Sequence, residues 1–147
     1  MYRIIKVYRN KNMETIVLVI FIFSLIGLFD TLYLSYHKIQ GTEVWCLFFP
    51  PEWCRKVQQS EYSKTFGIPN TFAGLGMYTT LLVLLALFTG GSLPWWPIAA
   101  VVTFGFLFSM YFTYIQAFVL RAFCTWCVVS AINFTVMFIT VVFNYLR

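Results

Sequence analysis

Four cysteines carry the most specific chemistry in the chain. Cys46 and Cys54 are separated by seven residues, and Cys124 and Cys127 form a CxxC pair within the stretch FCTWCVVSAIN. Two such pairs can pass electrons by thiol–disulfide exchange, in which a thiolate attacks a disulfide sulfur. A CxxC pair at a helix start favours the thiolate of its first cysteine, because the N-terminal end of a helix is positive. The cysteines therefore predict a redox site.

Basic residues lie next to both cysteine pairs. Arg121 shortly precedes Cys124, and Arg55 directly follows Cys54. Both positive charges would favour thiolate at the neighbouring sulfur. Arg121 has a second, purely structural interpretation, because arginine at a membrane surface extends its charged group toward water.

Two other roles for the cysteines compete with redox chemistry. Cysteine is often buried as a small apolar side chain, but none of these four lies in the middle of an apolar run. A structural zinc site is often built from two CxxC pairs, and the spacing of Cys46 and Cys54 does not suit that pattern. We therefore expect no bound metal.

The composition indicates a membrane protein. The 147 residues are 61% hydrophobic, 21% aromatic and only 10% charged, whereas a soluble domain has about 25% charged residues. The net charge of +5 does not suggest nucleic-acid binding, because four basic residues precede an apolar run: Arg3, Lys6, Arg9 and Lys11. Such a cluster is typical of a cytoplasmic flank, and the run is too long for a signal peptide. The expected environment is the lipid bilayer.

Four apolar segments are long enough to cross a bilayer, which takes about 20 residues each. They predict an all-α integral membrane protein, a bundle of four transmembrane helices forming a single membrane domain over residues 1–147. The expected spans are residues 14–37, 70–89, 95–118 and 124–145. After the first span, PEWCRKVQQSEY predicts a short amphipathic helix whose Trp53 and Val57 dip into the membrane interface.

Both cysteine pairs are expected on one face of the membrane. With four spans, the loops after the first and third spans share one side, and the two termini share the other. Disulfides persist outside the reducing cytosol, and the N-terminal basic cluster predicts a cytoplasmic N-terminus. The two cysteine-bearing loops are therefore expected to be extracytoplasmic.

The whole pattern resembles the vitamin K epoxide reductase family. The shared features are the four spans, a C-x7-C loop, Ser60 six residues after Cys54, SKTFGIPNTFAGLGMY at the second span and SAIN after the CxxC pair. GIPN and the WC…SA pattern are more similar to the prokaryotic branch. Members of that branch reoxidise a thioredoxin-like disulfide donor and pass the electrons to a quinone. Many carry a fused thioredoxin domain, for which this sequence has no room, so the resemblance implies a separate thioredoxin-fold partner.

The resemblance implies a role for each cysteine. Cys46 would meet the dithiol of the partner, and Cys54 would shuttle electrons to Cys124. Cys127 would face the quinone. On a helix Cys127 lies about 4.5 Å further along the axis than Cys124, which places it nearer the acyl region from which a quinone headgroup arrives.

Other residues are expected near the quinone, which would be of the ubiquinone, menaquinone or vitamin K type. Asn70 matches a family asparagine that hydrogen-bonds a quinone oxygen, with an N-terminal helix cap as an equal alternative. Ser130 and Ala131, one turn beyond Cys127, are small enough to leave room for a flat ring that Phe134 would border. Alternatively, these small residues allow close helix packing.

Two further polar residues belong to the candidate site. Ser60 is included through the family match. Asp30 lies in the first span, and an ionisable group inside a span is a functional candidate. Its carboxyl could relay the protons that quinone reduction consumes, or it could have a structural role in a hydrogen bond to Tyr or Ser or in a pair with a loop cation.

The combined expectation is a membrane thiol–quinone oxidoreductase that promotes disulfide formation in exported proteins. The expected membrane is the prokaryotic cytoplasmic membrane, with the endoplasmic reticulum as the alternative. A second possibility is a vitamin K or vitamin K epoxide reductase. Vertebrate members, however, have a tyrosine shortly after the second CxxC cysteine, where this chain reads VVSA. A non-enzymatic alternative is a tetraspan scaffold held by two structural disulfides.

Overall fold

Four long helices form a bundle, and a short capping segment covers one end of it. This computed structural model describes residues 11–146 of the chain. The helices in chain order are α1 (Lys11–Gln40), α2 (Pro51–Gln58), α3 (Asn70–Thr89), α4 (Trp96–Tyr114) and α5 (Thr125–Leu146). Within the bundle, α1 packs against both α3 and α5, and α5 also packs against α4.

Within residues 11–146, four helical segments are long and apolar enough to cross a membrane. They are Asn12–Gln40, Asn70–Thr89, Trp96–Leu120 and Thr125–Leu146. The predicted all-α tetraspan fold is therefore confirmed. The first segment extends beyond the expected residues 14–37 because the helix continues through polar residues at both ends. The side chains of the N-terminal basic cluster lie outside the described residues.

The outer surface of the bundle is apolar. Phe29, Phe104 and Phe143 are 68%, 63% and 62% exposed. Exposure of this kind is unfavourable in water but not against lipid tails, which are as apolar as the side chains themselves. The surface therefore suits a bilayer.

Two glycines allow close contacts between helices in the centre of the bundle. Gly27 of α1 faces the ring of Tyr78, and a Cβ at this glycine would overlap that ring. Gly105 of α4 faces the ring of Phe134 in the same way. The two aromatic rings stack on each other with centroids 5.0 Å apart. Small residues at these positions thus let the bundle close around a central aromatic pair.

The capping segment between α1 and α3 contains α2, a short 3₁₀ turn and a small hairpin. Pro51 lies in the first turn of α2, where its missing N–H is not needed. The hairpin pairs β1 (Lys64–Thr65) with β2 (Ile68–Pro69). Its turn is made by Phe66 and Gly67, both of which have positive φ, as tight hairpin turns require.

The predicted amphipathic helix is present as α2, but its apolar face points into the protein. Val57 and Cys54 are buried, with 1% and 0% exposure. Trp53 stacks on Phe49 with centroids 5.8 Å apart. The prediction that Val57 dips into the membrane interface is therefore wrong, because the end of the bundle provides the apolar surface that this residue covers. Trp53 is only partly buried, and its contact with the interface stays a prediction.

Candidate redox site

A disulfide links two parts of the capping segment at the site. Cys54 of α2 is bonded to Cys46 of the preceding loop, with a Cα–Cα distance of 5.9 Å. Both residues are buried, with exposures of 7% for Cys46 and 0% for Cys54. Cys46 was expected to meet the dithiol of a partner. In this state other side chains cover its loop, and the role of Cys46 stays a prediction.

The residues between the two CxxC cysteines hold the Cys46 loop over the disulfide. Thr125 Oγ1 accepts a hydrogen bond from the Phe48 N–H at 3.3 Å and lies 3.5 Å from Cys46 Sγ. Trp126 Nε1 donates to the Trp45 carbonyl at 2.8 Å. We call these contacts of Thr125 and Trp126 the clasp. The clasp thus covers the Cys46 side of the disulfide.

The second cysteine pair is reduced and lies at the start of α5. Cys124 and Cys127 are free thiols, the first buried and the second partly so. The Val128 N–H donates to the Cys124 carbonyl at 3.0 Å, so Cys124 directly precedes the first turn of the helix. The prediction that the CxxC pair begins a helix is confirmed. In this state the loop pair is bonded and the CxxC pair is reduced.

Two glutamines that the sequence did not single out hold the CxxC pair. Gln58, at the end of α2, directs Nε2 toward Cys124 Sγ at 3.4 Å and Cys127 Sγ at 3.8 Å. Gln116 is 1% exposed, and its Oε1 accepts the Cys124 N–H at 3.0 Å. Sequence signals for both residues existed. Gln116 is an amide residue near the end of an apolar span, and Gln58 follows Cys54 by four residues, which places both side chains on one helix face.

The arginines that were expected to favour thiolate lie elsewhere. Arg55 forms a surface ion pair with Glu43, with 2.7 Å between Nε and Oε1. Arg121 is exposed and has a left-handed backbone with φ of 53°, which turns the chain into α5. The prediction for these two arginines is wrong, because neutral hydrogen-bond donors surround the Cys124 sulfur instead.

Cys124 is an acidic thiol. A hydrogen bond from the Cys127 thiol lowers the pKa of Cys124 to about 6, and backbone N–H groups and the Gln58 amide add to this effect against the opposing effect of burial. Cys124 is therefore mainly thiolate at neutral pH, which is the form that attacks disulfides.

A pH titration of the reduced CxxC pair should show this directly. The pKa of Cys124 lies below the ordinary thiol value, so thiolate is present above a pH of about 6 and is lost as the pH falls through that value. Ultraviolet thiolate absorbance, corrected with a Cys124→Ser variant, should rise with a midpoint near 6. A midpoint at the ordinary thiol value of about 8.5 would contradict the environment described above.

Beyond Cys127, toward the middle of the bundle, polar and aromatic groups meet. The hydroxyls of Ser130 and Tyr78 lie 2.7 Å apart. Phe134 is 3% exposed and stacks on Tyr78, and Ala131 is partly buried. Tyr78 was not predicted, although it brings a tyrosine hydroxyl to the segment whose own sequence lacks one. A polar aromatic residue inside an apolar span was the signal that could have found it.

Asp30 is buried in α1 without a hydrogen-bond partner. Its side chain is 4% exposed, and neither carboxyl oxygen has a partner among residues 11–146. The carboxyl is close enough to interact electrostatically with Cys124, Cys127 and Tyr78. The structural alternative, a hydrogen bond or a pair with a loop cation, is not found in the described part of the chain.

Asn70 and Ser60 make their hydrogen bonds within the capping segment. Asn70 Nδ2 donates to the Tyr62 carbonyl at 2.9 Å, and its Oδ1 accepts from Thr65 Oγ1 at 2.7 Å. Ser60 Oγ donates to the Val57 carbonyl at 2.8 Å. Asn70 is the first residue of α3 and makes no capping bond, so the helix-cap interpretation is wrong. Contact of either residue with a quinone stays a prediction.

Comparison with known proteins agrees with this site. The family model of the vitamin K epoxide reductase family matches residues 18–142, a range that includes all four cysteines. Thiol-disulfide oxidoreductase LTO1 of Arabidopsis thaliana is 32% identical over 122 residues, which cover 76% of this chain and 32% of that protein. The chain thus spans about a third of the length of this relative. The chain belongs to the vitamin K epoxide reductase family.

Proposed function

We propose that this protein reoxidises a thioredoxin-like partner and passes the electrons to a quinone in the membrane. One observation carries the proposal: a closed disulfide and a reduced dithiol meet at one end of a membrane bundle. Cys46, Cys54 and Cys124 lie in one apolar cluster, and Cys127 packs against it. Quinones are more oxidising than protein dithiols, so electrons flow from the partner toward the membrane.

The loop pair takes electrons from the partner in the first stage. A partner thiolate attacks Cys46, which forms a mixed disulfide and releases Cys54 as thiolate. The second thiol of the partner then attacks this mixed disulfide, so the partner leaves as a disulfide and Cys46 is released as thiolate. Two electrons now reside on the loop pair.

The electrons reach the CxxC pair in the second stage. The Cys54 thiolate attacks Cys124 of an oxidised Cys124–Cys127 disulfide and releases Cys127 as thiolate. Cys46 then attacks Cys54, which closes the loop disulfide and releases Cys124 as thiolate. The result is a bonded loop pair and a reduced CxxC pair, the redox state of this structure.

The polar groups beyond Cys127 suit the oxygens of a quinone ring. When bound, a quinone supplies the oxidant for the CxxC dithiol and takes up two electrons and two protons. The buried Asp30 carboxyl has no hydrogen-bond partner in residues 11–146, and the Asn133 and Ser130 side chains lie beside the Tyr78 hydroxyl. These polar groups would hold and orient the ring, and Phe134 would border it.

Asp30 is proposed to accept the proton of the Cys127 thiol. In an Asp30→Asn variant we expect quinone-linked turnover to fall about 100-fold, the lower end of general acid–base effects, with a changed pH profile. Folding should not suffer, since a neutral amide is less costly to bury than a carboxylate. Glu14→Gln, at an exposed carboxyl of the same helix, is the control. Unchanged turnover and pH dependence in Asp30→Asn would leave Asp30 only a structural role.

The cysteine pairs are proposed to face the extracytoplasmic side of a prokaryotic cytoplasmic membrane. In a background with all four cysteines replaced by serine, Glu61→Cys and Ser92→Cys place single exposed thiols in loops at opposite ends of the bundle. A membrane-impermeant maleimide should label Glu61→Cys in intact cells and Ser92→Cys only after lysis. The reverse pattern would invert the topology.

The function is tested by reconstitution. Purified protein in lipid should oxidise a reduced thioredoxin-like donor and bleach quinone absorbance in equal molar amounts. Ubiquinone, menaquinone and vitamin K quinone are compared side by side. Consumption of vitamin K epoxide with a reduced donor, without quinone-dependent donor oxidation, would favour the alternative reductase. Oxidation of neither substrate would exclude both.

A further inference from the structure

Gln58 contacts both sulfurs of the CxxC pair with a single side-chain amide. Its Nε2 lies 3.4 Å from Cys124 Sγ and 3.8 Å from Cys127 Sγ. An amide nitrogen carries two hydrogens, so it can donate toward each sulfur. Gln58 also follows Cys54 by one helical turn, which puts the two side chains on the same face of α2. The amide therefore lies where the loop pair and the CxxC pair exchange electrons.

The position of this amide is fixed from two sides. Val57, directly before Gln58, is 1% exposed and anchors α2 on the bundle. Lys38 Nζ of α1 donates to the Gln58 backbone carbonyl at 3.3 Å. The backbone that carries the amide is thus held in place, and donors already in position stabilise developing charge with little reorganisation during the reaction.

We propose that the Gln58 amide stabilises the leaving thiolates of both internal exchange steps. This inference rests on the proposed function and names a catalytic residue within it. When Cys54 attacks Cys124, the departing negative charge forms on Cys127. When Cys46 then attacks Cys54, it forms on Cys124. The two sulfurs that become thiolates in succession are the two that Gln58 contacts. Because Cys124 is fully buried, water cannot replace the Gln58 amide as the hydrogen-bond donor to its sulfur.

The amide has a property that a cation would lack. It is neutral, so it stabilises either thiolate without holding a fixed charge in an apolar cluster, which would be costly to bury. The titratable groups that interact with Cys124 are Asp30 from α1 and Cys127 from α5, and the Lys38 ammonium bonds the backbone of Gln58. A change at Gln58 leaves all three groups in place.

The test compares Gln58→Met, which keeps the length of the side chain and removes the donor, with Gln59→Met at the exposed neighbouring residue. Hydrogen bonds to charged groups correspond to about one to two units of pKa. The thiolate absorbance midpoint of Cys124 should therefore move upward by about one pH unit or more in Gln58→Met. The protein is first oxidised with a small-molecule disulfide, which converts the CxxC pair to its disulfide. Transfer of electrons from the loop pair to this CxxC disulfide, then started with a small-molecule dithiol, should slow about tenfold or more in Gln58→Met. Gln59→Met should match the unaltered protein in both measurements.

These measurements require neither a quinone nor a protein partner. An unchanged midpoint and exchange rate in Gln58→Met would overturn the role of Gln58 and leave the proposed function intact. Failure of the reconstituted protein to reduce quinone, together with a shifted midpoint and slowed exchange, would uphold Gln58 and reject the quinone as the acceptor. A loss of folding in Gln58→Met is checked by thermal unfolding, and Gln58→Glu then provides a second variant. Its carboxylate accepts rather than donates, so it should raise the midpoint further; an unchanged midpoint would again overturn the role.

Discussion

Replacing Cys127 by serine should stop donor oxidation and trap a covalent intermediate inside the protein. Cys124 and Cys127 can no longer form a disulfide, so electrons cannot pass beyond the loop pair. We expect turnover to fall at least about a thousandfold, the order seen when a covalent nucleophile is removed. The Cys124 sulfur keeps the hydrogen bonds from the Gln58 amide and the backbone that favour its thiolate. It should therefore attack the loop disulfide at Cys54, release Cys46 as thiolate and remain bonded to Cys54.

The reciprocal variant distinguishes the two thiols. Cys124→Ser should be equally inactive, but it should not accumulate the Cys54 adduct, because Cys127 lies one turn deeper in the bundle. Peptide mapping by mass spectrometry without reduction identifies the bonded pair in each protein. An adduct through Cys127 in the Cys124→Ser protein, and none in the Cys127→Ser protein, would reverse the assigned roles.

The largest effect on the fold is expected at Gly27. A methyl group at this position would overlap the Tyr78 ring, which is completely buried, so the ring or the helices must shift. Overpacking of this kind costs about 1–3 kcal/mol. In Gly27→Ala we expect a lower unfolding temperature and reduced turnover, because displacement of the ring breaks the contact between the Tyr78 and Ser130 hydroxyls.

Gly76 supplies the matched control for this change. It lies on α3, the helix of Tyr78, and a Cβ there would have no atom within 4 Å. Gly76→Ala should therefore retain turnover and keep or slightly raise the unfolding temperature, since alanine favours helix more than glycine. Thermal unfolding in one detergent, followed by circular dichroism, compares the two. Equal stability of both variants would mean that the ring of Tyr78 yields easily.

The sequence was sufficient for features that depend on local signals. An apolar run of about 20 residues in a membrane protein usually forms a transmembrane helix, so the expected spans agreed closely with the helices of the structure. The CxxC pair was placed at a helix start because the apolar run begins there. The four cysteines could be grouped on one end of the bundle by counting spans, without any knowledge of helix packing.

Features that depend on how segments dock were not predictable in the same way. The pattern of α2 shows that an apolar face exists, but it does not reveal whether lipid or protein covers Val57. Gln58 contacts Cys124, 66 residues away in the chain, and Tyr78 contacts Ser130, 52 residues away. Local spacing can draw attention to Gln58 and Tyr78, but it does not show which residues they contact. Nearness in sequence can also mislead. Arg55 is next to Cys54 in the chain, but its side chain pairs with Glu43 at the surface.

The burial of the loop disulfide has a consequence for selectivity against unwanted electron donors. Small thiols in solution would reduce the disulfides of an oxidising pathway directly if they could reach the sulfur atoms. Here Cys54 is fully buried and Cys46 is only 7% exposed. Thr125 and Trp126, which hold the Cys46 loop in place, belong to the CxxC segment itself. A large partner can offset the loss of these hydrogen bonds with contacts of its own, whereas a small thiol reacts only when the loop opens by itself and therefore needs a high concentration. In the proposed pathway, this difference would favour a donor protein that docks on the loop over small thiols.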